Sequence, residues 1–190
     1  VNDIKRIASC FKLPQRINIV SVDPSLRQTG IFTCMGGVCS SEVKRNDKAI
    51  PRENARAEIL EFFEWYAKRV KWDLLIIEDY APNAKGEQGF IACEVGGIIR
   101  ACFTRAGTPI IEVPIPTWKA VTGIKLKKTS VQEKREYLNA CAELFGFSFD
   151  TPDECDAFYC FWTVVQASRG NIAKLGPSVR SRLEELKIKL

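Results

Sequence analysis

The sequence predicts a mixed α/β domain. Two kinds of segment carry that prediction: short apolar, β-branched runs bounded by turn residues, and longer stretches with apolar positions at helical spacing. Their order, β-β-β-α-β-α-β-α-α, adds a third observation, because it starts with an antiparallel meander and continues with helix-linked, parallel strands. The expected sheet therefore has five strands, mixed in direction and flanked by helices. With 190 residues, 46% of them hydrophobic and 27% charged, the chain has room for one ordinary core.

The first strand is read at 17–22, Ile-Asn-Ile-Val-Ser-Val, ending at Asp23-Pro24-Ser25, a turn signal. A second strand over 29–34 and a third over 38–43 flank Gly36-Gly37, which suits a tight hairpin. Over 51–70 the apolar residues Ala55, Ile59, Phe62, Phe63, Tyr66 and Val70 recur at helical spacing, with Pro51 fit for a first turn. Residues 74–77 are an unbroken apolar run ending at Glu78, the pattern of a central strand covered on both faces. A polar loop over 81–89 precedes a helix over 90–105, where Gly96-Gly97 would permit close backbone approach. A fifth strand follows over 109–113, then a short helix over 117–121 and a basic loop over 123–128. Ser130 with Glu133 forms a capping box for a helix over 131–145, and the last core helix runs over 153–167.

Composition excludes whole classes of chemistry. There is no histidine, so Ser-His-Asp triads, His-based acid–base catalysis and His-ligated metals are ruled out. The eight cysteines form no CxxC pair and sit mainly among apolar neighbours. They read as reduced core residues, and an intracellular reducing compartment, cytoplasm or organelle matrix, is expected. No apolar run reaches membrane-spanning length and no signal-peptide pattern opens the chain, so neither a membrane location nor secretion is expected. The net charge of +5 is uneven: residues 1–16 and 169–190 together carry +7, leaving 17–168 at −2. The expected organisation is thus a domain over 17–168 between a basic N-terminal extension and a basic C-terminal tail, either solvated or in contact with a polyanion.

Two strands end in acids at matching positions, Ser21-Val-Asp23 and Ile76-Ile-Glu78. If the strands are neighbours, the carboxylates emerge side by side, and such a pair either shares a proton or holds a cation. Asp153 and Asp156 form a second pair, three residues apart at the start of the last helix. Each acid has a simpler reading: Asp23 as the start of a turn, Glu78 as a partner for a backbone group, Asp153 as a helix cap. Asp156 is harder to explain that way, since Cys155, Ala157 and Phe158 surround it. Together the four are hard oxygen donors suited to Mg²⁺ or Mn²⁺.

The motif Asp23-Pro-Ser-Leu-Arg-Gln-Thr-Gly30 after an apolar strand resembles the opening motif of RuvC-type Holliday-junction resolvases, members of the ribonuclease H-like superfamily. Three further landmarks follow in that family's order: Leu75-Ile-Ile-Glu78, Pro116-Thr-Trp-Lys-Ala-Val-Thr-Gly123 with its following lysines, and Asp153-Glu-Cys-Asp156-Ala157. The resemblance covers residues 17–167. It implies a ribonuclease H-like fold and a metal-dependent endonuclease acting on branched DNA as a homodimer. Asp23, Glu78, Asp153 and Asp156 would hold two divalent ions, Mg²⁺ or Mn²⁺, that activate water and stabilise the leaving 3′-oxygen. Lys119 falls on a family lysine and would contact phosphate or developing charge. Ser25, Arg27, Tyr80, Lys85, Lys125, Lys127 and Lys128 are the further DNA-contact candidates. The helix over 90–105, with Ile91, Val95, Ile98, Ile99 and Cys102, is either the dimer face or a cover for the sheet. The family's aromatic wedge after the strand-end glutamate has two candidates, Tyr80 and Phe90.

Three competing expectations differ in class. Asp-x-Ser-x-x-x-Thr-Gly is also similar to the phosphate-binding turn of actin-like ATPases, which need two such domains. A non-catalytic junction-binding module would bind without cutting. A related nuclease would cut a flap, a fork or an RNA–DNA hybrid instead.

Overall fold

A computed structural model of the chain describes residues 7–8, 17–79, 87–122 and 149–169, with isolated positions near the C-terminus. The elements are β1 (Ile7–Ala8), β2 (Asn18–Asp23), β3 (Gln28–Met35), β4 (Val38–Arg45), α1 (Arg52–Lys68), β5 (Leu74–Asp79), α2 (Glu87–Arg105), β6 (Ile110–Pro114), α3 (Ile115–Thr122) and α4 (Pro152–Ser168). The helix expected over 131–145, its capping box and the basic loop over 123–128 lie outside the described residues.

The strands form one mixed sheet in the order β1-β4-β3-β2-β5-β6. The β2-β3-β4 meander is antiparallel, and β5 and β6 add in parallel beside β2. The five expected strands are all present. A sixth, two-residue strand comes from the stretch read as an N-terminal extension, where Ile7 and Ala8 pair with Cys39 and Val38. β5 is next to one edge of the sheet, not at its centre, yet its Leu74, Leu75, Ile76 and Ile77 are buried on both faces.

Strand alternation divides the core into two layers. Ile19, Phe32, Leu74, Ile76, Ile111 and Val113 face α4, packing against Phe158, Phe161, Val164 and Val165. Val20, Val22, Ile31, Leu75 and Ile77 face the other way, against Ala55, Ile59 and Phe63 of α1 and Ile91, Val95, Ile99 and Phe103 of α2. The ring of Phe32 lies 5.1 Å from that of Phe158 and 4.9 Å from that of Phe161, which pins α4 onto β3. Each such buried ring stabilises the fold by about 1.5–3 kcal/mol.

One local expectation is corrected, and two others are narrowed. The second main helix starts at Glu87, so the polar loop ends before it; Glu87 is joined to Arg52 of α1 by an ion pair. Of the Gly96-Gly97 pair, Gly97 is exposed and a side chain there would meet nothing within 4 Å, whereas Gly96 is buried. Of the two readings of the α2 stripe, sheet cover is the one seen: Ile91, Val95, Ile99 and Cys102 are buried with α1 and the sheet of the same chain, and Ile98 is partly buried there. The hairpin glycines do adopt left-handed backbone, with φ of 58° at Gly36 and 81° at Gly37, as a tight β3–β4 turn requires.

Candidate active site

β2 and β5 are neighbours, with Val22 opposite Ile77 in parallel register. Asp23 and Glu78 are the next residues along, so both acids leave the same end of the sheet on adjacent strands. They share strand parity with Ile19 and with Leu74 and Ile76, which places them on the α4 face. α4 brings Asp153, in its first turn, and Asp156, three residues on, to that face.

The start of α4 is fixed by its own sequence. Thr151 is the N-cap: its Oγ1 accepts from the Glu154 backbone N–H at 3.3 Å, and Glu154 Oε2 accepts from the Thr151 N–H at 2.9 Å. This capping box, with Pro152 in the first turn, leaves Asp153 no capping duty. The N-cap is therefore Thr151, while Asp153 keeps a first-turn position favourable to the helix dipole. Gly30 of β3, paired with Asp23, lets the helix start come in: a Cβ there would lie 2.0 Å from the Asp153 carbonyl oxygen.

The electrostatics record the convergence. The Asp23 carboxyl is held well above its ordinary range by burial first, then by the charges of Glu78, Asp156 and Asp153. Glu78 is pushed up to about 7, by burial and by Asp156, against the lowering effects of the Trp118 hydrogen bond and the Lys119 charge. Beneath them, burial and the charges of Glu78, Asp23 and Asp156 drive the Cys160 thiol far up, so it stays a neutral core residue. Ser21, two residues before Asp23 on the same face, is fully buried, and its Oγ has no hydrogen-bond partner among the described residues.

Among the described residues no three side chains are gathered as a finished cage for one ion. The donor set nevertheless suits a hard divalent cation. Asp23, Glu78, Asp153 and Asp156 are oxygen donors only, and they lie near enough for the charges of Glu78, Asp153 and Asp156 to act on Asp23, a repulsion that a bound cation would relieve.

The other expected residues divide. Lys119, on α3, is exposed and near enough to Glu78 to favour its charge. Arg27 is turned to the backbone, donating to the carbonyls of Asp47 at 2.5 Å and Ile50 at 3.1 Å. Ser25 lies in the same turn, which Thr29 closes by donating from Oγ1 to the Ser25 carbonyl at 2.5 Å. Pro24, Ser25 and Arg27, with Arg52 and Ile91, line a cleft of about 180 Å³ between the turn after β2 and helices α1 and α2. Tyr80, Lys85, Lys125, Lys127 and Lys128 lie outside the described residues. Phe90 is 70% exposed on the first turn of α2. Sequence reasoning passed over Trp118, which donates its indole N–H to Glu78 Oε2 at 2.9 Å; its place in the motif beside Lys119 was the available signal.

The fold is that of RuvC-type resolvases. Thermus thermophilus RuvC in complex with a Holliday junction substrate superposes with a TM-score of 0.64 at 14% identity, covering 82% of this chain and 97% of that one. A second structure of Thermus thermophilus RuvC gives 0.58 at 15% identity, over 81% and 97%. The yeast mitochondrial Holliday junction resolvase aligns over 91% and 85% at 12% identity, with a TM-score of 0.47. No family model matches the sequence, and no curated protein matches it. No described helix is long and apolar enough to cross a membrane.

Proposed function

We propose that this chain is a metal-dependent, structure-selective DNA endonuclease that resolves four-way junctions by paired symmetric nicks. The observation that carries the reading is the arrival of Asp23, Glu78, Asp153 and Asp156 from β2, β5 and α4 at one end of the sheet. The likeness to RuvC solved on a Holliday junction supports the choice of substrate.

Asp23, Glu78, Asp153 and Asp156 would hold Mg²⁺ or Mn²⁺. Bound there, the ions supply a nucleophilic water and neutralise charge on the phosphodiester. The chain's own residues set the conditions for that. β2 and β5 fix two acids on adjacent strands, and the capped start of α4 fixes the other two. Lys119, beside Glu78 and exposed, contacts the scissile phosphate and stabilises its developing charge. The aromatic that meets an unstacked base would be Phe90, exposed on the first turn of α2, or Tyr80. Two symmetric cuts require two such sites, which a homodimer supplies. The described cysteines are thiols outside any disulfide, and all but Cys93 are buried, which suits a reducing compartment.

The test is cleavage of a labelled synthetic four-way junction beside matched flap and linear duplexes, with Mg²⁺, Mn²⁺ or EDTA, for the native chain and Asp23→Asn. Paired nicks on the junction, lost in EDTA and in Asp23→Asn while binding persists, are expected. Preferential cutting of flaps would move the substrate class, and junction binding without cutting under any metal would leave a binding module.

A further inference from the structure

Glu78 receives a hydrogen bond from outside the acidic set. Trp118 donates to its Oε2 at 2.9 Å, and the indole that does so is only 2% exposed. The ring is held by a parallel stack on Tyr159, with centroids 5.7 Å apart and planes 2° from coplanar. Tyr159 is fully buried on α4, three residues after Asp156. One side chain of α3 thus joins the acid of β5 to the helix that carries Asp153 and Asp156.

The chemistry of this donor suits a cation site. An indole N–H donates and cannot accept, so it is satisfied by a carboxylate and by nothing positive. It is also neutral. A lysine or arginine in its place would hold Glu78 by cancelling the charge a metal needs, and a hydroxyl could rotate to another partner. Trp118 fixes the carboxylate plane without subtracting charge, and Oε1 takes no part in that bond. Packing alone would be served equally by phenylalanine, which also fills the slot against Tyr159.

The geometry points to Trp118 as the positioning residue that presents the Glu78 carboxylate to a divalent cation. This rests on the metal-dependent reading of the site. Trp118 touches neither cation nor DNA in this role; it acts through Glu78, as outer-shell partners of metal ligands do.

Two measurements on the full chain, without DNA, decide it. The first is Mn²⁺ binding by calorimetry for the native protein and Trp118→Phe, which keeps an aromatic ring against Tyr159 and removes the donor. A loss of affinity of about tenfold or more is expected, with unchanged far-UV circular dichroism. The second is the indole ¹H–¹⁵N spectrum of the native protein during Mg²⁺ titration. The Trp118 resonance, assigned through its contacts with Tyr159, should move on Mg²⁺ addition while those of Trp65 and Trp72, in the opposite layer, stay. Equal Mn²⁺ affinity in the two proteins, or an unmoved Trp118 resonance when Mg²⁺ binds, overturns the role of Trp118 alone. A native chain that binds neither ion overturns the metal reading and this inference with it. If Trp118→Phe does not fold, the Mg²⁺ titration of the native protein decides between these outcomes.

Discussion

Gly30→Ala is the most exacting test of how the site is assembled. Gly30 pairs with Asp23 across the β2–β3 ladder and faces the first turn of α4. An added Cβ would lie 2.0 Å from the Asp153 carbonyl oxygen, 2.2 Å from its carbon and 2.7 Å from the Glu154 nitrogen. All three are backbone atoms, so no side chain can swing aside. Ordinary contact begins near 3.4 Å, so the start of the helix must retreat by about 1.4 Å. The capping box and the Phe32–Phe158–Phe161 contacts resist local unwinding, and the first turn moves with Asp153 on it. A displacement of roughly 1 Å at a reacting group costs on the order of 100-fold in rate. The overpacking costs about 1–3 kcal/mol, a fall of roughly 2–4 °C in Tm per kcal/mol for a chain of this size. The assay is single-turnover junction cleavage beside thermal melting, with Gly37→Ala as the comparison. Gly37 has φ of +81° and nothing within 4 Å, at the hairpin remote from the acids. Alanine there costs about 1–2 kcal/mol of backbone strain and should leave the cleavage rate alone. A folded Gly30→Ala protein cutting within threefold of the native rate would refute the claim that this close approach places Asp153.

Two further outcomes follow from the same geometry. Glu78 is raised from 4.5 to about 7 and Asp23 is also raised, so the folded chain holds protons that the unfolded chain has released. The stability this confers is complete below pH 4.5 and is lost as pH rises through 7. In EDTA, Tm should therefore fall between about pH 5 and pH 8, with a shallower fall in Glu78→Gln; a flat native profile would contradict the convergence of the acids. Arg27→Ala should lower stability by about 0.5–1.5 kcal/mol, through loss of the hydrogen bonds to the carbonyls of Asp47 and Ile50. The slope of log K against log[salt] for junction binding should stay unchanged; a drop of about one in that slope would put Arg27 on a phosphate.

The strand-end acids were legible because parallel neighbours of equal phase must present equivalent positions together. The spacing of Asp153 and Asp156 was legible because i and i+3 share a helix face. The start of α2 was misplaced because Glu87 belongs to a polar run, and nothing local reveals that Arg52 of α1 awaits it. The edge strand Ile7–Ala8 was missed because two residues carry no periodicity, and pairing with β4 is what makes them a strand. The bonds from Arg27 to the carbonyls of Asp47 and Ile50 were not legible, because a sequence does not display which carbonyls a loop turns inward.

Periodicity, turn residues and the absence of histidine are properties of the chain itself. From these came the mixed α/β class, the order of its elements and the restriction of any catalysis to carboxylates, lysine, thiols or a carboxylate-bound metal. What the sequence left open was which surfaces face one another. The layering that commits the α2 stripe to its own sheet, the clearance at Gly30 that admits α4, and the indole of Trp118 on Glu78 are contacts between segments far apart in the chain. Side-chain periods of 2 and 3.6 mark the face an element buries, but they do not identify its partner across the core. Tertiary packing makes that choice, and here it also decides how Glu78 is held.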